Sequence, residues 1–401
     1  MLFNIGGKCI IQKPPQHCFR GDSIANNYPH LRTIDLGSSL PNQSDPRILF
    51  LTRRYPPSVG GIQTHCYHLY TRLSRQCKVN LVALTRGTKL HLLWFIPYAF
   101  FASLFELLFH KVDIIYFSDG VICVLAPILR LFTRAKFIVT IYGLEMTYSS
   151  AFFGSLMRWG IASCEKIAVI SEKTQELTQE AGVQAEKIEI IYLGIEPATL
   201  TEPQHQETKK RFEQEQNISF GSSRILLNYG RMVPRKGVAD FLEKGLPLLE
   251  EDIFLFISGE GPDASRIRSL CESLGLQERV RHLWLDDETL AMLRSEADLF
   301  LMPNVPYPGD VEGYGIAPLE CMYQGTPVVA FAVDALVESI RKGGFLIPPN
   351  DYQAFVDQIH SYFELPDDQK RTLGKDATDY VRQEYSWDKA AEDYLNLFMG
   401  K

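Results

Sequence analysis

Residues 311–322 join two carboxylates, Glu312 and Glu320, to two glycines, Gly313 and Gly315, and to Pro318. Pro318 suits the first turn of a helix, where its missing N–H costs nothing, and Gly325 with Pro327 ends that helix after about two turns. Glycines let bare backbone approach a ligand. The free N–H groups at a helix N-terminus, carrying roughly half a positive charge, favour an anion such as phosphate. Upstream, Arg231 and Lys236 follow the apolar run 225–229, which sets two cations at the C-terminal edge of a strand, where α/β proteins bind ligands. Arginine grips phosphate oxygens with a planar fork and lysine adds a point charge. These residue types suit a site that binds a phosphate or diphosphate and stabilises the negative charge that develops when such a group departs.

The elements that position these residues read as α/β. Residues 299–302, Leu-Phe-Leu-Met, form a buried strand of a parallel sheet before the carboxylate loop. Apolar strands at 225–229, 253–258, 280–285 and 328–331 alternate with helical stretches. An earlier series has strands at 48–52, 79–84, 112–117, 136–141, 166–170 and 187–192. The glycine loop Gly60-Gly61 follows the first of these strands and opens a helix, a second anion cradle, although no Gly-x-Gly-x-x-Gly occurs there. We therefore expect two Rossmann-like domains facing each other across a cleft: an irregular extension over 1–45, a first domain over 46–197, a linker over 198–222, a second domain over 223–385 and a final helix over 386–401.

Glu-x7-Glu with its glycines, Gly230-Arg231, Lys236-Gly237 and the downstream Gly-Thr-Pro-Val-Val at 325–329 resembles the signature of the retaining, GT-B-fold glycosyltransferases of family four. The resemblance covers about residues 46–400. It implies transfer of a sugar from a nucleotide-diphosphate donor, a UDP-, GDP- or ADP-sugar, to a hydroxyl acceptor, with no cofactor and no metal. Glu312 would contact the donor sugar near the reacting carbon, and Arg231 and Lys236 would bind the diphosphate. Glu320 would hold the ribose hydroxyls, and backbone N–H groups of Tyr314, Gly315 and Ile316 the sugar or phosphate. Gly60, Gly61, Gly230 and Gly259 would line the donor. Many relatives carry His-Gly-x-Asp or His-Gly-x-Glu where this chain has Tyr142, Gly143 and Glu145, so these three become candidate sugar or acceptor contacts, with tyrosine in the histidine position. The final helix crosses back onto the first domain in that family.

Other readings fit less well. A glycosidase also uses two carboxylates but needs neither the cation pair nor the phosphate cradle. No Asp-x-Asp occurs, so the metal clamp of the other major glycosyltransferase fold is not expected. An epimerase on the same fold would need a dedicated base, and a subunit that binds sugar nucleotides without turnover would accommodate Tyr142. The net charge of −7 is uneven: residues 46–197 hold 16 basic against 11 acidic side chains, while residues 198–401 hold 21 against 34. A basic first domain suits an anionic acceptor or an anionic membrane face, and nucleic acid is not expected. Eight scattered cysteines without metal-ligand spacing, and no signal-like apolar segment at the start, suit a cytoplasmic protein, with the cytoplasmic face of a membrane as a second location. Residues 92–109 are almost wholly apolar, broken by Pro97, Ser103 and Glu106. The expectation is a buried helix; the alternatives are an interfacial membrane helix, which would make peripheral membrane contact, and a membrane span. His65 and His68 are read as surface polar groups of the helix after Gly61. Synthesis of cell-surface polysaccharide or glycolipid, with a lipid-linked acceptor, is the expectation by analogy.

Overall fold

Strand runs rich in Val, Ile, Leu and Phe are what a parallel sheet covered on both faces requires. A computed structural model describes residues 9–12, 46–58, 60–85, 91–143, 145 and 151–400. The chain divides into two units, Met1–Gly194 with Trp387–Lys401, and Ile195–Ser386.

In the first unit, strands β1 (Cys9–Gln12), β2 (Arg47–Thr52), β3 (Lys78–Leu84), β4 (Ile114–Phe117), β5 (Lys136–Ile141), β6 (Lys166–Val169) and β7 (Ile188–Ile190) form one sheet in the order β1-β3-β2-β4-β5-β6-β7. All neighbours are parallel except β1, which pairs antiparallel with β3, Cys9 opposite Leu84. The period of two along each strand splits the core: Leu49, Leu51, Phe117 and Val139 belong to one face. Phe50 and Tyr116 turn to the other, where their rings meet Tyr70, Tyr394 and Phe398. The helix Gly61–Gln76 and the C-terminal helix Trp387–Met399 cover that second face. Tyr394 shares a hydrogen bond with Thr140 at 2.7 Å, and the Trp387 ring stacks on His68 with centroids 4.7 Å apart.

The second unit has β8 (Arg224–Tyr229), β9 (Ile253–Ser258), β10 (Val280–Leu283), β11 (Leu299–Met302), β12 (Val328–Phe331) and β13 (Gly344–Ile347) in the order β10-β9-β8-β11-β12-β13, all parallel. In each unit the strand order reverses once, between β2 and β4 and between β8 and β11. Loops diverge at such a reversal and leave a crevice beyond the carboxyl ends of the strands.

Four expectations need correction. Residues 1–45 are not wholly irregular, since β1 lies within them; the rest of the extension falls outside the described residues. Residues 198–222 contain the helix Glu202–Gln216, opened by a capping box between Thr201 and Gln204. Its polar surface hides two inward residues, Thr208 and Phe212, and Phe212 meets Phe256 edge-on at 5.0 Å, so the segment is part of the second unit's core and not a free linker. His65 and His68 are buried, because the Trp387 and Tyr394 rings cover their helix.

The apolar helix Leu92–Phe109 is the fourth. Its inward stripe is Phe95, Ala99, Ala102, Ser103 and Glu106, and its bulky face is exposed: Leu93 is 76% accessible, Phe101 66% and Leu108 70%. Ser103 donates to the Ala99 carbonyl at 2.6 Å, and Glu106 accepts from Asn80 at 2.6 Å and pairs with His110 at 2.9 Å. Apart from Phe95, the inward stripe consists of small and hydrogen-bonding residues, and many of the other large side chains are left outside.

Candidate active site at the carboxyl ends of the strands

The reversal between β8 and β11 gathers the sequence candidates of the second unit. After β8 the short 3-10 turn Pro234–Lys236 turns Arg235 and Lys236 inward, and after β11 the chain brings Asn304 and Glu312 to them. Glu312 Oε2 accepts from Arg235 Nη1 and Lys236 Nζ, each at 2.5 Å, and from Asn304 Nδ2 at 3.1 Å. Its backbone N–H donates to Asp334 at 3.0 Å, which fixes the loop. Burial pushes the Glu312 carboxyl up, but Lys236 and Arg235 outweigh that and hold it down at about 2. Lys236 is drawn below its ordinary value by burial and by the neighbouring arginines, against the pull of Glu312. Arg235 also pairs with Asp310 at 2.9 Å. The result is a dense patch of fixed charge in which one carboxylate oxygen accepts from two cations.

Glu320 lies in the helix Ile316–Tyr323, whose N-cap, Gly315, has φ +83°. That left-handed backbone favours glycine and aims the first N–H groups of the helix out of the turn. Glu320 accepts from the Tyr229 hydroxyl at 2.7 Å and from Arg294 at 3.0 Å, while Arg294 Nε donates to the Tyr229 oxygen at 2.9 Å. Its side chain remains 22% accessible, so it is oriented without being closed off. Gly259, with φ +138°, lies against the loop after β8: a Cβ there would come within 1.9 Å of the Gly230 carbonyl oxygen. The lack of a side chain at Gly259 lets two strand-end loops touch backbone to backbone at Gly230, next to Arg231 in the chain.

The reversal between β2 and β4 in the first unit carries a second polar cluster. Arg53 pairs with Asp119 at 3.0 Å, and Asp119 also accepts from the Val121 and Ile122 N–H groups. The Tyr142 hydroxyl forms a short hydrogen bond with His65 Nδ1, and the Tyr142 N–H donates to Glu145 at 3.1 Å. Burial pulls His65 down to about 3, so its imidazole is neutral near pH 7. Burial, then the Asp119 charge, pushes Glu145 up to about 7. Gly60 caps the helix Gly61–Gln76 with φ +151°, and a Cβ on it would lie 2.7 Å from Gln63 Oε1.

A family profile described as Glycosyltransferase Family 4 matches residues 59–199, and one described as Glycosyl transferases group 1 matches residues 209–379, a stretch that contains both strands of the second reversal, β8 and β11. The chain belongs to the group 1 glycosyltransferases. This glycosyltransferase is 26% identical over 391 residues to an uncharacterised glycosyltransferase of Methanocaldococcus jannaschii, covering 88% of this chain and 97% of the relative. It is 24% identical over 301 residues to the GDP-mannose-dependent alpha-(1-6)-phosphatidylinositol monomannoside mannosyltransferase of Mycobacterium tuberculosis, covering 73% of this chain and 77% of the relative. HepE of Anabaena, solved in complex with UDP and glucose, is similar over 89% of this chain and 100% of its own, with a TM-score of 0.67 and 19% identity. That likeness shows the two-domain Rossmann-like fold, GT-B.

Within the glycosyltransferase, Lys236 and Glu312 are in direct contact, whereas Arg231 is exposed at the mouth of the same loop. Gly230 and Gly259 meet; Tyr314 is buried edge-on to Tyr385 at 6.0 Å, and Ile316 is exposed at the helix start. Tyr142, Gly143 and Glu145 share one turn after β5. Sequence reasoning passed over Arg235, Arg294, Tyr229 and Asn304, as well as Arg53, Asp119 and His65. Arg235 stands beside Lys236 in sequence and could have been found; the others become partners only through the fold.

The raised Glu145 gives a pH signature. Its folded pKa of about 7 lies above the usual 4.5. The stability it contributes is therefore fully present below about pH 4.5 and lost as pH rises through about 7. Glu145→Gln should gain on the wild type by roughly 3 kcal/mol between pH 4.5 and pH 8. Urea unfolding at the two pH values reads this, and an unchanged difference between the proteins would refute a buried, raised carboxyl.

Proposed function

We propose that the chain transfers a hexose from a nucleotide-diphosphate donor to a hydroxyl on a lipid-linked acceptor, with retention of configuration and without a metal. The observation that carries this is the pairing of the two glutamates: Glu312 in contact with Lys236 and Arg235, Glu320 oriented by Tyr229 and Arg294, both at the reversal between β8 and β11. Glu320 binds the ribose hydroxyls, and its neighbours keep its carboxylate in one orientation. The helix start at Gly315 to Ile316, with Tyr314, presents N–H groups to the donor. Lys236, with Arg231 at the mouth, binds the diphosphate and stabilises it as it departs. Glu312 stands by the sugar carbon that gains positive charge. Retention follows the family resemblance: the acceptor hydroxyl attacks from the side the phosphate leaves, and that phosphate takes its proton. Gly60 and Gly61 add a second phosphate cradle, and the turn of Tyr142, Gly143 and Glu145 contacts sugar or acceptor.

Relatives that act on phosphatidylinositol mannosides, and the basic first domain, support a lipid-linked acceptor in cell-surface polysaccharide or glycolipid synthesis. The buried free cysteines among the described residues suit the reducing cytoplasmic side. Tyr142 in the family's histidine position favours a second reading, a subunit that binds sugar nucleotides and does not turn them over.

The test is thermal stabilisation by UDP, GDP and ADP, each repeated with Glu320→Ala. Nucleotide at 100 times its dissociation constant adds about 2.7 kcal/mol to the folded state. A shift with one base that disappears in the variant supports the site and names the base. No shift with any of the three removes the proposal, and a shift without donor turnover favours the second reading.

A further inference from the structure

A surface helix ordinarily turns its apolar stripe to the core and its polar stripe to water. Leu92–Phe109 departs from this: its polar residues Ser103 and Glu106 face inward beside Phe95 and two alanines, and many of its bulky apolar residues face out. The Ala99 carbonyl, Asn80 and His110 fix the two polar residues, while Leu93, Phe101, Phe105, Leu108 and Phe109 stand outside, Phe101, Phe105 and Leu108 at spacings of four and three. The neighbouring turn continues the patch with Leu131, 79% accessible, and Phe132, whose ring lies 6.2 Å from Phe100. Soluble monomers rarely keep so large a contiguous apolar face in water.

We infer that this face docks on an anionic lipid bilayer, with the helix lying in the plane of the interface. The helix does not span: its 18 residues reach about 27 Å, and its inward stripe is tied to the sheet through Asn80 and packed against β2 and β3. The surrounding charge selects the occupant. Arg47, Lys78, His110 and Lys111 line a cavity of about 460 Å³ where the helix ends, and exposed Arg134 follows Phe132 in the adjoining turn. The first domain as a whole carries an excess of five basic side chains. A second copy of the chain, related by a two-fold axis, would bring this basic rim against itself. Anionic headgroups answer both parts of the surface, with acyl chains taking the Phe and Leu side chains and phosphates taking the rim. The inference concerns a surface apart from the donor site, and its readout is binding, so it stands or falls independently of the transferase reading.

The experiment is co-sedimentation of the full-length protein with vesicles of phosphatidylcholine, alone or with 30 mol% phosphatidylglycerol (roughly a bacterial anionic fraction). Two variants are compared with it, Phe101→Ser/Phe105→Ser and Lys78→Glu/Arg134→Glu, the second sparing Lys111, whose ammonium pairs with Asp113 at 2.7 Å. The wild type should bind the mixed vesicles at least about 10-fold more tightly than pure phosphatidylcholine. Each double substitution should lower binding to mixed vesicles by about 10-fold or more, with unfolding curves unchanged because the altered side chains are exposed. The inference is overturned if the wild type leaves mixed vesicles unbound, or if either variant binds like the wild type. It is also overturned if the lipid-free protein is a dimer that the Phe101→Ser/Phe105→Ser change dissociates, because the patch is then a contact between copies.

Discussion

Lys236→Ala should lower turnover of a nucleotide-sugar donor by about 10²- to 10³-fold, equivalent to about 2.7–4 kcal/mol of transition-state stabilisation, the effect of removing one preorganised donor from a developing oxyanion. Lys236 shares with Arg235 an enclosed position 2.5 Å from Glu312, and Arg235, unlike Lys236, is paired with Asp310 as well. In such surroundings its charge is little screened, and charge growing on a departing diphosphate meets it at close to full strength. Glu312 keeps Arg235 as a partner in this variant, so the fold should be largely spared and the loss should fall on kcat. Rapid-quench single turnovers at saturating donor measure it. A rate within about threefold of wild type would make Lys236 a structural partner of Glu312 and nothing more.

Glu312→Ala should act on stability, by roughly 3–5 kcal/mol at pH 7, because it leaves Arg235 and Lys236 enclosed without their shared acceptor and takes a partner from Asn304. The pH dependence gives the sign independently. The carboxyl titrates at about 2 in the folded protein against a usual 4.5, so its contribution is present above about pH 4.5 and lost as pH falls through 2. Wild type and variant should therefore converge on acidification, and urea unfolding at pH 7 and pH 3 tests this. Adding Lys236→Met to Glu312→Ala should recover part of the loss, since it removes one of the stranded cations. A Glu312→Ala protein within about 1 kcal/mol of wild type at pH 7 would contradict the arrangement.

The strands were legible because parallel strands covered on both faces leave uninterrupted apolar runs. Residues 136–141 are β5 without adjustment, and Pro318 falls in the first turn of the helix bearing Glu320, as expected. The carboxylate pair was legible from glycine and proline punctuation. Lys236 was legible too, but the arginine beside Glu312 was not. Arg231 and Arg235 lie in the same loop, and the tight turn at Pro234–Lys236 decides which of them faces inward. Arg294 and Tyr229 reach Glu320 from 26 and 91 residues away, a distance no local pattern spans. The helix Leu92–Phe109 failed for a different reason: when nearly every residue is apolar, periodicity carries no information about which side is inside. The run over 198–222 failed in the opposite way, since its charged residues concealed Phe212.

The seam of the first unit has a consequence for how the chain is made. Gly194 is followed by the whole of the second unit before Trp387 returns, and the Trp387 ring lies so close to Gly194 that a Cβ would come within 2.3 Å of it. Thr140 waits for a hydroxyl 254 residues downstream. A ribosome therefore finishes the second unit first, although it begins the first unit earlier, and Tyr116 lacks the Tyr394 and Phe398 rings until the last helix has emerged.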